Sequence, residues 1–164
     1  MAPVRLTVTL FMSAERFTLD TNILVYSVDG EAGARHAIAV EIIERAALAD
    51  CWLMLQAVSE FYAVVTRRRL IPRERVLALA NGWLDLFPTA SASVAAIRAA
   101  LAAASAGRAS YWDALLVATA AEADCAVVLT EDLDDGGVLH GVRILNPFAG
   151  GVLAPKALQL LTPE

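Results

Sequence analysis

The chain has 164 residues, of which 58% are hydrophobic and 19% charged, at a mean hydropathy of +0.57. That apolar content excludes disorder and implies one large core, while 9 glycines and 6 prolines exclude fibrous and low-complexity architectures. A formal charge of −5 has the wrong sign for holding a polyanion by bulk electrostatics, so a nucleic-acid partner would require locally recruited cations.

The chain opens on a short apolar stretch, Leu6 to Met12, behind a single Arg5. It is too short for a signal peptide and has no small-residue cleavage pattern. Residues 1–11 read as an extension, and Met12 is an alternative start. Residues 16–19 form a first strand ending at Asp20, in a turn-favouring Asp-Thr-Asn. Residues 34–49 carry Ile38, Ile42 and Ala46 at helical spacing. A second strand is expected at 52–55, a helix at 59–69, and another from Pro72 to about Asn81. Residues 84–87, closed by Pro88, read as a third strand. Helices follow at 91–106 and 110–123, then strands at 126–129 and 142–145. Strands alternating with helices of this length imply a single α/β domain, a three-layer sandwich with a mostly parallel central sheet flanked by helices. Its core spans about 17–148, and residues 149–164 are a tail able to pack on a partner.

No stretch reaches the roughly 18 uninterrupted apolar residues of a membrane span, so a cytoplasmic protein without membrane contact is expected. Cys51 and Cys125 cannot build a disulfide scaffold and read as buried, reduced thiols.

The chemistry lies in acids set among apolar residues. Asp20 follows the first strand, Glu60 opens the helix after the second, and Thr130-Glu131-Asp132 follows the strand at 126–129. Asp113 occupies the first turn of the helix before that strand. Polar residues at the carboxyl ends of parallel strands mark the functional edge of such sheets. Two carboxylates about 5 Å apart repel by roughly 3 kcal/mol at an effective dielectric near 20. Converging acids must therefore take up protons or bind a cation. An all-oxygen set without Cys–His spacing selects Mg²⁺ or Mn²⁺, whose use is a metal-activated water and neutralised phosphoryl charge.

Four segments, LDTNILVY, VSEFYAVVTRR, YWDALLVATAAEADC and VVLTEDL, with a closing GVRILNPF, stand in this order. Over residues 17–148 the chain resembles the PIN-domain family, in particular its VapC-type toxins. The resemblance maps the family's acidic residues onto Asp20, Glu60, Asp113 and Asp132, and its small polar partners onto Asn22 and Thr130. It implies an Mg²⁺- or Mn²⁺-dependent ribonuclease, the toxin of a toxin–antitoxin pair, homodimeric and inhibited by a small antitoxin. The adjacent acids Glu131, Asp134 and Asp135 leave the fourth position open to more than one residue.

Structural readings stand beside these. Ser110-x-x-Asp113 resembles a capping box, which needs no site but would also fix the carboxylate's direction. Arg67, Arg68 and Arg69 either complement a helix C-terminus or, with Arg108, contact RNA phosphates. His36 and His140 are isolated and read as structural. Trp52, Trp83 and Phe87 read as core, and Tyr111 and Trp112 as core packing before base stacking. Phe61, Tyr62, Val64 and Val65 suit a dimer face or the core. Two PIN-like alternatives remain, a catalytically idle protein-binding module and a non-toxin nuclease of RNA processing. A phosphatase with an aspartate nucleophile is disfavoured, since the only lysine, Lys156, lies in the tail.

Overall fold

The computed structural model of the chain describes residues 14–162, so the extension 1–11 and Met12 lie outside it. The α/β expectation holds. The elements are β1 (Phe17–Leu19), α1 (Thr21–Tyr26), α2 (Ala34–Ala46), β2 (Leu53–Met54), α3 (Leu55–Arg68), α4 (Arg73–Leu86) and β3 (Thr89–Ala90). They continue as α5 (Val94–Ser105), α6 (Tyr111–Glu122), β4 (Val127–Leu129), β5 (Val138–Leu139), β6 (Val142–Leu145), β7 (Phe148–Ala149), β8 (Val152–Leu153) and α7 (Pro155–Leu160).

Strands β1, β4 and β6 are parallel neighbours, and β5 closes the edge antiparallel to β6. The parallel pair β2–β3 joins the other side through an isolated bridge between Phe17 and Cys51. Across the sheet the order is therefore β3-β2-β1-β4-β6-β5, and the chain leaves β1 on one side and returns to β4 on the other. The crevice beyond the carboxyl ends of β1 and β4 is the switch point at which open α/β sheets bind ligands.

Strands β1 and β4 are buried along their whole length, as their continuous apolar runs require. Helix α6 is apolar on nearly every side and runs through the core, with seven consecutive residues buried from Ala114 to Ala120. Both cysteine thiols are free and buried, and burial pushes the Cys125 thiol up to about 12 and Cys51 well above its ordinary range.

Local expectations differ from the structure at several places. The strand expected at 84–87 is helical: α4 continues the spacing of Val76, Ala80 and Trp83, and Trp83 packs edge-on against Phe61 with ring centroids 4.7 Å apart. Pro88 ends that helix, and the strand comes after it. The segment after Asp20 is a helix, not a plain turn, with Asp20 as its extended N-cap. Helix α3 starts at Leu55, so Glu60 lies in its second turn instead of opening it. Residues 148–161 fold back on their own domain as β7, β8 and α7, burying Ala157 and Leu161. Trp112, expected in the core, is 58% exposed, whereas Ala114 on the same helix is buried. Among the described residues no helix is long and apolar enough to cross a membrane.

Candidate metal centre

Asp20 sits where β1 gives way to α1, with its backbone N–H on the Leu129 carbonyl of β4 at 3.0 Å. Its carboxylate is 6% exposed, and Oδ2 accepts the Thr130 hydroxyl at 2.7 Å. Thr130 Oγ1 in turn accepts the backbone N–H of Asp132 at 3.1 Å. One threonine thus links the carboxylate at the end of β1 to the loop leaving β4. Asn22, in the first turn of α1, donates its side-chain amide to Asp132 Oδ2 at 2.7 Å.

Asp113 is delivered by α6. Ser110 is the N-cap, and its hydroxyl accepts the Asp113 N–H at 3.1 Å while donating to Asp113 Oδ2 at 2.6 Å. The reciprocal bonds satisfy an orphan helix donor and fix the carboxylate at the positive end of the helix. The capping role and the site role are therefore one arrangement.

Oxygens of Asp20, Asp113 and Asp132 all lie within 4.8 Å of one another. None of the three forms an ion pair among the described residues. Each ionised pair at that spacing repels by about 3 kcal/mol at an effective dielectric near 20, less toward the exposed Asp132. The Asp20 carboxyl is accordingly pushed up to about 7. Burial is the main cause, the Thr130 hydrogen bond opposes it, and the charges of Asp132 and Asp113 add to it. Burial also raises Asp113, against the hydrogen bond from Ser110 and with the charge of Asp132. The three acids fit a hard cation: the donors are all oxygen, and opposite ligands of an octahedral Mg²⁺ are about 4 Å apart.

Glu60 lies outside this triad. Its carboxylate accepts the Gln56 side-chain amide at 2.6 Å, and the same nitrogen donates to the Trp112 carbonyl at 3.0 Å. Gln56 thereby couples the fourth acid to the backbone just before Asp113. Sequence reading passed over Gln56, although it stands four residues from Glu60 on one helix face.

Glu131 points away from the triad. It accepts the Tyr26 hydroxyl hydrogen and, at 3.0 Å, the Arg35 Nε–H. Asp135 Oδ1 accepts the backbone N–H of Asn146 at 2.9 Å, and Asp134 lines a neighbouring cleft. Of the crowded acids, Asp132 alone joins Asp20 and Asp113. Arg68 donates to the buried Asp29 at 3.0 Å, whereas Arg67 and Arg69 are exposed at the end of α3. Arg108 is exposed on the loop before α6 and lines the same cleft as Asp113 and Asp132. His36 bonds the Tyr26 carbonyl through Nδ1, and His140 sits in the tight turn between β5 and β6.

The family model for the PIN domain matches residues 17–134. No curated protein sequence matches the chain. Among solved structures it is similar to VapC20 of Mycobacterium tuberculosis, described as a Sarcin-Ricin loop cleaving toxin. That match has a TM-score of 0.59 at 15% identity and covers 77% of this chain and 98% of that one. A DNA-bound VapBC from Salmonella typhimurium matches with a TM-score of 0.57 at 20% identity over 79% of this chain and 96% of that one. VapBC2 of Rickettsia felis, bound to a promoter DNA fragment, gives 0.56 at 13% identity over 78% and 96%. At these identities the structural likeness speaks for the fold.

Proposed function

The chain belongs to the PIN-domain family, and from that premise we propose that it is a divalent-metal-dependent endoribonuclease, the toxin of a toxin–antitoxin pair. One observation carries the reading: three acids from separate parts of the chain, none of them ion-paired among the described residues, converge at the sheet's switch point. Asp20, Asp113 and Asp132 would hold Mg²⁺ or Mn²⁺, and Glu60 would complete the acidic set from its place beside Gln56. Thr130 and Asn22 orient the carboxylates of Asp20 and Asp132, which keeps their lone pairs directed inward. A bound divalent ion supplies positive charge opposite the phosphoryl oxygens and lowers the pKa of water.

Arg108 lines the cleft beside this centre, and Arg67 and Arg69 are exposed at the end of α3, which leaves each available for a phosphate contact. Arg68 reinforces them only in part, since it is engaged by Asp29. RNA as substrate and an antitoxin as partner are supported by the fold shared with the toxin and the VapBC complexes above. Exposed Tyr62 on α3 and Leu77 and Leu84 on α4 supply apolar surface for a homodimer. A single domain and a cytoplasmic location belong to the same reading.

The test is cleavage of total RNA by purified protein, with ends mapped in Mg²⁺ and in EDTA. Cleavage in Mg²⁺ that is lost in EDTA and in Asp20→Asn is the expected result. Undiminished cleavage in EDTA would sink the proposal.

A further inference from the structure

A cleft of about 310 Å³ opens directly beside the acidic triad. One wall is the loop Arg108, Ala109 and Ser110 leading into α6, and the other is the loop after β4 with Leu133 and Asp134. Its floor is built by β5 and β6, where Val138 is exposed and Leu139 and Ile144 are buried, while Asp113 and Asp132 join it to the triad. Three carboxylates, Asp113, Asp132 and Asp134, and the single Arg108 guanidinium line the cleft together with apolar side chains.

The floor is fixed by the fold. Gly137 donates its N–H to Asp134 O at 2.9 Å and accepts the Ile144 N–H at 2.8 Å, and Gly136 donates to Ile144 O at 2.9 Å. A Cβ at Gly137 would stand 2.9 Å from the Asp134 carbonyl oxygen, so only glycine lets the turn close this tightly. The turn holds the cleft wall in place before any ligand arrives, which limits the ordering cost of binding.

We infer that this cleft is a nucleotide subsite, receiving the single-stranded RNA nucleotide that adjoins the cleaved bond; this rests on the nuclease reading above. Its volume lies at the small end of ligand sites, about 300–1,000 Å³, and suits one nucleotide. An α-helix of a protein partner, about 10–12 Å across with its side chains, is too wide for it. The base lies against Val138, and its phosphate faces Arg108, whose side chain forms no ion pair among the described residues. Val138 is 61% exposed, apolar surface that a base would cover. The subsite makes base preference at one position a property of β5.

The experiment measures binding of 5′-fluorescent single-stranded RNA tetranucleotides of A, C, G or U by anisotropy at low salt. The protein carries Asp20→Asn, which removes cleavage from a residue outside the cleft lining. Adding Val138→Glu or Arg108→Ala is expected to weaken binding about tenfold at unchanged melting temperature. Val138→Glu should also flatten the differences among the four sequences. Parental affinity in both variants would overturn the subsite and leave a peptide as the occupant to consider. A protein that binds RNA through the cleft yet never cleaves it keeps the subsite and loses the nuclease reading.

Discussion

The Thr130 hydroxyl reaches Asp20 Oδ2 at 2.7 Å across 110 residues of sequence, from the end of one central strand to the end of its neighbour. Thr130 also receives the Asp132 N–H, so a single hydroxyl sets the position of two of the three converging acids. Thr130→Val keeps the shape of the side chain and deletes both bonds. A hydrogen bond to a charged group contributes about 1.5–3 kcal/mol. Mg²⁺ affinity at pH 7.5, measured by calorimetry, is therefore expected to fall about tenfold or more while the far-ultraviolet circular dichroism is retained.

Asp20 gives the metal-free protein a pH dependence of defined sign. Its carboxyl is raised from the model-peptide 3.8 to about 7, so the folded state binds the proton more tightly than the unfolded chain. Stability contributed by that proton is complete below pH 4 and is lost as pH rises toward 7. Metal-free protein should lose stability over this window, and Asp20→Asn should recover on the order of 2–4 kcal/mol at pH 8 with little effect at pH 4. Denaturant melts at the two pH values check this. Mg²⁺ competes with the same proton, so its affinity should climb with pH up to about 7 and then level off.

Adjacent acids have opposite fates. Glu131 is engaged by Tyr26 and Arg35, and Asp132 by Asn22 within the triad. Asp132→Asn should lower Mg²⁺-dependent RNA cleavage by on the order of 100-fold or more, whereas Glu131→Gln should stay within a few-fold of the parent. Equal losses in both would assign the metal role to the loop as a whole. Initial rates at saturating Mg²⁺ discriminate the two outcomes.

The three consecutive arginines also divide. Arg68→Ala strands the buried Asp29 carboxylate and should destabilise the fold by about 1–3 kcal/mol. For a chain of this size that corresponds to a melting temperature lower by several degrees. Arg67→Ala touches no such partner and should leave the melting temperature unchanged. If it contacts phosphate, the slope of log affinity for RNA against log salt should fall by about 1.

Much of the site was legible because its signals are local. Burying Asp20, Asp113 and the 130–132 acids among apolar neighbours is costly without a partner, and that conflict stands in the sequence itself. The N-cap at Ser110 was legible too, since capping needs only three residues of spacing. What failed depended on contacts beyond the segment. Residues 84–87 read as a strand, whereas α4 runs on to Leu86, with Trp83 packed against Phe61 of another helix. Trp112 belongs to an apolar helix, and its exposure follows only from which side of α6 the neighbouring elements cover.

The amino-acid order alone determined an apolar α/β domain, its acids at strand and helix ends, and an oxygen-only set of candidate donors. Period, capping and turn preference act over a few residues, so these were available without coordinates. Tertiary structure decided which acids meet, that Glu131 turns to Tyr26 and Arg35, that Glu60 stands apart behind Gln56, and that a cleft opens beside the triad. Those outcomes depend on through-space distance, because Coulomb repulsion and hydrogen bonding are set by ångströms and not by separation along the chain.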